Sequence, residues 1–191
     1  MTSDEMYALF ERHGTDKKKF AAFYARWLSI TSPKTILEIG VYKGGSMAAF
    51  REIFPGAKVY GIELQQKFKS PGVFIGKQQD AAFLSSVIGK IGIPDMVVDD
   101  GSHKWSHQRI TFEYLFPLLK PGSFYFIEDL ETSYIDTWKD CDTPFTEYLK
   151  GLIDPLNDRV NSRKLFESNN IESISFGKTI CMIERSSCNT S

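Results

Sequence analysis

Short hydrophobic runs alternate with amphipathic segments through the middle of the chain. Five runs have the length and composition of buried strands, and they cover residues 35–39, 58–63, 73–76, 95–98 and 123–127. Segments with helical periodicity lie between them, at 46–54, 81–88 and 106–119. Strands that alternate with helices pair in parallel through right-handed crossovers, so the pattern predicts a doubly wound α/β sheet.

The two ends of the chain follow different patterns. Helices are predicted over residues 4–13 and 17–30, and the apolar stripe of the second is assigned to the core. Near the other end, β-like segments at 173–176 and 179–183 flank Gly177-Lys178, which predicts a type II′ hairpin. This hairpin closes an otherwise parallel, seven-stranded sheet with an antiparallel strand. The irregular stretch 131–170 is predicted to hold one helix, with Thr143 as its cap and Pro144 as its first residue.

The pattern predicts one domain over residues 1–191, without a repeat or a linker. A helical cap over 1–32 precedes the core of the sheet over 33–130. Residues 131–170 are predicted to form an insertion on the substrate side, and the terminal hairpin spans 171–185.

Composition and charge narrow the class of protein. The chain has 191 residues, 42% of them apolar, and a net charge of −1, which are ordinary values for a soluble domain. A basic excess, a bilayer-spanning run and an apolar signal core are all missing from the sequence, and the three cysteines lack metal spacing. We therefore expect a cytoplasmic protein. The run Lys17-Lys18-Lys19 beside Asp16 is interpreted as the solvated start of a helix.

A glycine-containing loop follows the first predicted strand and begins the next helix. It runs from Glu38 through Gly40 and Gly44 to Ser46. Glycine lets the backbone approach a ligand closely, and the unpaired N–H groups of a helix start bind an anion such as a carboxylate. Glu63 ends the second strand, where its carboxylate is placed to accept hydrogen bonds from a ribose diol. The glycine spacing disfavours a dinucleotide, and the alternative is a plain turn with a surface glutamate.

Four carboxylates follow the fourth and fifth strands. Asp99 and Asp100 come at the end of one, and Glu128 and Asp129 at the end of the other. Because neighbouring parallel strands end at the same edge of the sheet, these acids are predicted to lie together, where their repulsion calls for a cation. Oxygen ligands favour Mg²⁺ over Zn²⁺. The alternative is that these are surface acids that cap helices and hold loops.

The loop after the fourth strand contains a candidate base. Adjacent strand residues point to opposite faces, so Asp99 and Asp100 are predicted to have different roles. His103 follows in the same loop, and histidine changes its charge near neutral pH, as a general base requires. His107, one helical turn further on, is predicted to lie on the helix surface or behind the site.

These motifs together resemble a known family. The stretches Leu-Glu-Ile-Gly-Val, Val-Asp-Asp-Gly-Ser-His, Phe-Pro-Leu-Leu-Lys-Pro-Gly and Ile-Glu-Asp-Leu-Glu-Thr-Ser-Tyr resemble metal-dependent sugar O-methyltransferases of macrolide biosynthesis, of the mycinamicin and tylosin type. Gly14-Thr15-Asp16-Lys17 also looks like a segment of these enzymes. The resemblance covers residues 12–135 and implies the fold of class I S-adenosylmethionine-dependent methyltransferases.

The resemblance also implies roles for single residues. It implies that Asp100, Glu128 and Asp129 bind Mg²⁺, that His103 is the base, and that Asp80 lies near the adenine of S-adenosylmethionine. The first loop, the end of the second strand and the Thr15-Asp16 segment are expected to hold the rest of this cofactor. The predicted cofactor-binding residues are Thr15, Asp16, Glu38, Gly40, Gly44, Ser46, Glu63, Asp80 and Asp99.

The predicted reaction is the transfer of a methyl group from a sulfonium to a hydroxyl, in which positioning does most of the work. We expect Mg²⁺ to be chelated by two neighbouring acceptor oxygens, while His103 takes the proton of the attacking hydroxyl. Tyr134 and Trp138 are predicted to contact the acceptor, with loop packing as the alternative. The expected partner is a small molecule with a sugar hydroxyl or a vicinal diol, without nucleic acid or membrane, and assembly into a homo-oligomer is left open.

Two other functions stay open at this point. One is a catechol-like phenolic O-methyltransferase, because a metal chelates either kind of diol. The other is a non-catalytic S-adenosylmethionine-binding module, which the acids and the histidine disfavour. The glycine spacing disfavours a nicotinamide-dependent dehydrogenase.

Overall fold

Seven strands form one mixed sheet in the computed structural model, which describes residues 1–65, 70–157 and 171–186. The strands are β1 (Thr35–Ile39), β2 (Lys58–Glu63), β3 (Val73–Ile75), β4 (Met96–Asp99), β5 (Phe124–Ile127), β6 (Ile171–Gly177) and β7 (Ile180–Arg185). Their order across the sheet is β3-β2-β1-β4-β5-β7-β6. The first five strands are parallel, and β7 pairs antiparallel with both β5 and β6. The predicted doubly wound sheet with a closing antiparallel hairpin is confirmed.

Helices cover both faces of this sheet. The described α-helices are α1 (Ser3–Arg12), α2 (Ala21–Leu28), α3 (Gly45–Ile53), α4 (Ala81–Ile91), α5 (Trp105–Leu115), α6 (Phe145–Gly151) and α7 (Ile153–Asn157). Short 3₁₀ helices span Asp16–Phe20, Phe116–Leu118, Leu130–Tyr134 and Asp136–Trp138. No helix among the described residues has both the length and the apolar character needed to cross a bilayer. Residues 158–170 of the predicted insertion, and Cys188, lie outside the described residues.

Alternate strand residues separate into two hydrophobic cores. Ile36 and Phe126 pack on the face covered by α1, α2 and α3, whereas Leu37 and Tyr125 pack on the face covered by α4, α5 and α6. This alternation follows from the two-residue period of a strand. The same alternation determines toward which face of the sheet each acid at a strand end points. The arrangement of the site described below follows from it.

The hairpin turn differs from the predicted one. Gly177 pairs with Ile180 as the last residue of β6, so the two turn residues are Lys178 and Thr179. Thr179 has the positive φ, at 59°. A Cβ on Gly177 would lie 2.6 Å from the ring of Phe23, so this glycine makes room for a side chain of α2. The type II′ assignment is therefore wrong, because packing across the sheet decides the position of the glycine.

The start of α6 is also shifted by one residue from the prediction. Pro144 is the N-cap, with an extended backbone, and Phe145 is the first helical residue. No side-chain hydrogen bond caps this helix, so Thr143 does not have the capping role expected from the sequence.

Candidate active site

A cavity of about 810 Å³ lies at the carboxyl-terminal ends of β1, β2, β4 and β5. The register of the sheet explains its position, because Ile39 pairs with both Ile62 and Asp99, and Asp99 pairs with Ile127. The residues that follow these strands therefore emerge side by side. Predicted site residues on the cavity wall are Thr15, Asp16, Gly40, Ser46, Glu63, Asp100, His103, Asp129 and Trp138.

Six predicted site residues are not on this cavity wall, and three of them belong to other features of the fold. Gly44 precedes α3 with a φ of 81° and serves as its cap. The Asp80 carboxylate accepts hydrogen bonds from the first turn of α4, so it caps that helix. Tyr134 is 71% exposed and borders a separate groove of about 320 Å³, together with Phe176. Glu38, Asp99 and Glu128 are also off the wall, but they lie directly behind it.

The first loop brings two backbone segments into close contact. Gly40 has a φ of 85°, and a Cβ at this position would lie 1.9 Å from the carbonyl oxygen of Asp100. The Asp100 N–H donates to the Ile39 carbonyl over 2.9 Å, which holds the two loops together. Only glycine allows this approach, and it lets both loops share one cavity wall.

Alanine in place of Gly40 is expected to destabilise the protein more than alanine in place of Gly122. Both glycines have a positive φ, at 85° and 77°, but a Cβ on Gly122 meets no atom within 4 Å. Gly122→Ala should lower the free energy of unfolding by roughly 1–2 kcal/mol for the backbone conformation alone. Gly40→Ala should lose about 1–3 kcal/mol more through the clash. Urea denaturation of both variants measures the difference, and equal losses would show that the loop adapts freely.

Glu63 is placed to bind hydroxyl groups at the end of β2. Its two carboxylate oxygens accept hydrogen bonds from the backbone N–H groups of Tyr42 and Leu64, each over 2.8 Å. These two backbone bonds fix the orientation of the carboxylate. The side chain lies on the cavity wall and is nearly buried.

Asp99 lies on the opposite face of the sheet from the other buried acids. Its carboxylate accepts hydrogen bonds from the Gln78 amide over 3.2 Å and the Tyr125 hydroxyl over 3.2 Å. Burial raises the pKa of Asp99 to about 7, against the lowering effect of these bonds. The expectation that Asp99 and Asp100 have different surroundings agrees with the structure.

Gln78 reaches the cavity wall without having been predicted from the sequence. Its side-chain oxygen accepts the N–H of Ser102 over 2.6 Å, while its amide nitrogen contacts Asp99 and Thr111. It therefore connects the loop after β3 with the loop after β4. Only the position of Gln78 shortly after a strand signals this role, and that position is shared by many surface residues.

Lys17 is the main residue that the sequence reasoning misjudged. It is fully buried, and its ammonium nitrogen lies 2.8 Å from Asp100, 2.9 Å from Glu128 and 3.2 Å from Glu38. The interpretation of residues 17–19 as a solvated helix start is therefore wrong for the first of these lysines. The acids at this edge need compensating positive charge, which the sequence analysis assigned entirely to a metal ion. Lys17 supplies part of that charge.

The charges of this buried cluster depend on one another. Burial alone lowers the pKa of Lys17, but the carboxylates of Asp100, Glu128 and Glu38 raise it well above its ordinary value. Burial also raises the pKa of Glu38 and of Glu128, while the Lys17 ammonium opposes both shifts. The lysine is therefore protonated and stabilises the ionised form of the acids around it.

Asp129 and His103 form a second group with Asp100, next to this buried cluster. Ligand atoms of Asp100, His103 and Asp129 lie within 4.8 Å of one another. Asp129 has a φ of 54° and accepts a 2.5 Å hydrogen bond from Lys19. The histidine Nε2 lies 3.8 Å from Asp100 and 3.9 Å from Asp129. Glu128 is not in this group, because its carboxylate is turned toward Lys17 and Tyr24.

The donor set fits a hard divalent cation. The second oxygen of Glu128 is buried without a hydrogen-bond partner among the described residues. Carboxylate oxygens suit Mg²⁺, whereas an imidazole nitrogen such as those of His103 suits softer metals.

The segment after Asp129 folds over the histidine loop. Trp138 lies on the cavity wall and meets the His103 ring edge to face at 5.5 Å. Asp140 accepts the Ser106 N–H over 2.9 Å and thereby caps the start of α5. His107 lines the cavity and is hydrogen-bonded to Ser102 over 2.8 Å, so of the two predicted positions, the helix surface and behind the site, the structure favours the one next to the site.

Comparisons with known proteins agree with this geometry. No protein-family model matches the chain. The mycinamicin VI 2''-O-methyltransferase of Micromonospora griseorubida is 36% identical over 138 residues, which are 63% of this chain and 35% of that protein. The 8-demethyl-8-alpha-L-rhamnosyl tetracenomycin-C 2'-O-methyltransferase of Streptomyces olivaceus is 35% identical over 166 residues, 76% of this chain and 44% of that protein. The chain thus spans less than half the length of these two relatives.

A solved structure extends the likeness to nearly the whole chain. The MycE methyltransferase, determined with Mg, SAH and mycinamycin VI, superposes with a TM-score of 0.85 and 29% identity. The match covers 95% of this chain and 53% of MycE. The homologues of this chain are sugar O-methyltransferases. The chain has the fold of the class I S-adenosylmethionine-dependent methyltransferases, and the resemblance inferred from its motifs is confirmed.

Proposed function

We propose that this chain is an S-adenosylmethionine-dependent, Mg²⁺-assisted O-methyltransferase that acts on a hydroxyl of a sugar or a glycosylated natural product. One observation carries the proposal: a single cavity joins a glycine loop and Glu63 to the group formed by Asp100, His103 and Asp129. The names of the relatives give a 2''-oxygen of mycinamicin VI and a 2'-oxygen of a rhamnosyl tetracenomycin as the methylated positions, and this supports the choice of a sugar hydroxyl as acceptor.

The cofactor would occupy the part of the cavity between the first loop and β2. Glu63 would accept hydrogen bonds from the ribose hydroxyls, and the start of α3 beyond Gly40 would hold the carboxylate of the amino-acid moiety. Thr15 and Asp16 border the same space from the N-terminal segment. Gln78 would lie beside the adenine in place of Asp80, which the resemblance implies there, because Gln78 lies on the wall whereas Asp80 caps a helix.

Mg²⁺ would be held by Asp100 and Asp129. Glu128, the third ligand that the resemblance implies, has its carboxylate turned toward Lys17 and Tyr24, so its place in the ligand set has no support from its position. A bound Mg²⁺ would supply Lewis-acid stabilisation of the negative charge that develops on the acceptor oxygen. His103 borders the same space and would remove the hydroxyl proton as the methyl group is transferred. Trp138 packs against His103, so it would both orient the imidazole and contact the acceptor.

The other candidate functions have less support. The acceptor side offers no observation that favours a vicinal phenol over a sugar diol, and the relatives act on sugars. A binding module would have no need of the acids and histidine gathered beside the cofactor part of the cavity. Tyr134 borders a different groove, so its predicted contact with the acceptor has no support from its position. A cytoplasmic location stays a prediction, and assembly into a homo-oligomer stays open.

Cofactor binding tests the first half of the proposal. Calorimetry should detect binding of S-adenosylhomocysteine and none of NAD. Glu63→Gln should weaken this binding about 10- to 100-fold, because a hydrogen bond to a charged group is lost and one side-chain atom no longer accepts. Asp80→Asn is the matched control, since asparagine also caps a helix and this side chain lies away from the cavity. Equal effects of both substitutions, or binding of NAD alone, would contradict the assignment.

An acceptor screen tests the second half. Methyl transfer from labelled S-adenosylmethionine should occur to glycosylated macrolides or aromatic polyketides with free sugar hydroxyls. Transfer only to vicinal phenols would replace the acceptor with the catechol-like alternative. Cofactor binding without transfer to any acceptor would favour the binding module instead.

A further inference from the structure

Lys17 has an unusual place for a residue with this charge. It lies in the 3₁₀ helix Asp16–Phe20 and is fully buried, whereas its neighbours Lys18 and Lys19 have side chains that are 42% and 40% exposed. An ammonium group leaves water at a large cost unless its partners compensate, so each of its contacts is informative.

The contacts of Lys17 join the ends of three strands. Its nitrogen lies within 3.2 Å of one oxygen each of Glu38, Asp100 and Glu128, which stand at the ends of β1, β4 and β5. Glu38 and Glu128 are completely buried. The strand register makes the three side chains neighbours, and the lysine crosses to them from a segment more than eighty residues away from Asp100 in sequence.

Lys17 donates a hydrogen bond to only one carboxylate oxygen of Asp100 and to only one of Glu128. Asp100 gives Oδ2 to Lys17, while its Oδ1 faces His103 within the group of candidate metal ligands. Glu128 gives Oε1 to Lys17 and to the hydroxyl of Tyr24, while its Oε2 is buried without a hydrogen-bond partner in the described parts of the chain. Each carboxylate is thus held by one oxygen in a single orientation.

We infer that Lys17 is a positioning residue of the metal site, which holds Asp100 by Oδ2 so that its Oδ1 is presented to a divalent cation beside His103 and Asp129. This inference rests on the proposed function, because it takes the bound cation from there. It assigns Lys17 no contact with the cofactor or the acceptor. It also explains why the N-terminal segment must lie against the strand ends before the site is complete.

The direction in which metal affinity changes when Lys17 is removed distinguishes this role from two simpler ones. A lysine that only repels cations would, on removal, let the metal bind more tightly. A lysine that only stabilises the fold would leave the metal affinity of the folded protein unchanged. A positioning lysine, on removal, lets Asp100 turn away and weakens metal binding, as loss of the groups that orient metal ligands does elsewhere, by about 10- to 100-fold.

The experiment compares Lys17→Met with Lys18→Met. Binding of Mn²⁺ alone, followed by electron paramagnetic resonance, should weaken about 10- to 100-fold in Lys17→Met. Lys18→Met should bind as the wild type does, since Lys18 pairs with Glu11 on the surface. Thermal unfolding of each variant confirms that the comparison is made on folded protein. Unchanged or tighter Mn²⁺ binding in Lys17→Met would overturn the inference.

A measurement on the wild-type protein covers the case in which Lys17→Met does not fold. Lysine-selective ¹⁵N spectra should show an ammonium signal protected from solvent exchange, which persists when Mg²⁺ is added. Loss of that protection on metal addition would overturn the inference, because the lysine would then be a stand-in that the metal displaces. If the wild type binds no divalent ion at all, the metal part of the proposed function fails as well, which sets that outcome apart.

Discussion

Removal of divalent cations is expected to abolish methyl transfer, and Asp129→Asn is expected to lower kcat/KM by at least about 100-fold. Asp129 stands at the outer edge of the carboxylate cluster, where its ligand atoms lie within 4.8 Å of those of Asp100 and His103. Asparagine keeps the shape and tolerates the positive φ of 54° at this position, so the fold should survive. The loss of kcat/KM then results from removal of the negative charge of Asp129.

The matched control for this substitution is Glu131→Gln. Glu131 is exposed, lies two residues further along the chain and borders the other groove. It should retain near wild-type activity. In wild-type protein, EDTA should stop turnover and Mg²⁺ should restore it, while S-adenosylhomocysteine still binds. Full turnover in EDTA would show that these acids act only through hydrogen bonds and ion pairs with Lys17 and Lys19.

Replacement of His103 is expected to reduce kcat by about 10²- to 10⁴-fold, the usual contribution of a general base. His103→Asn is the suitable variant, because His103 has a φ of 56°, which asparagine adopts more readily than alanine. The loss should appear in kcat, since proton removal belongs to the transition state, and binding of Mn²⁺ and of S-adenosylhomocysteine should change little.

A second outcome is built into the same experiment. The His103 Nε2 lies close enough to Asp100 and Asp129 that a softer metal would bind it. If His103→Asn loses Mn²⁺ affinity together with activity, His103 is a ligand and another group is the base. His107 is unsuitable as a control because it lines the same cavity, so His13→Asn, whose imidazole pairs with Glu52 outside the cavity, takes that role.

Much of this site follows from the order of elements along the chain. Parallel strands carry their carboxyl ends to one edge, so residues that directly follow strands converge without knowledge of any contact. Gly40, Glu63, Asp100, His103 and Asp129 were predicted on this basis, and all five lie on the wall of one cavity. The two-residue period of a strand also separated Asp99 from Asp100 correctly.

The sequence by itself determined the α/β sheet, its closing hairpin and the edge at which the acids gather, because these depend on local periodicity and on the direction of the strands. Only the tertiary structure decided which charges are compensated. The sequence around Lys17 is typical of a solvated segment, but the side chain is buried in the fold. Its partners Asp100 and Glu128 lie 83 and 111 residues away. The same holds for Glu128, which that lysine turns inward, and for Gly177, whose position is set by Phe23 on another element. Burial and pairing depend on what distant segments bring to the same place, and no pattern within a single segment contains that information.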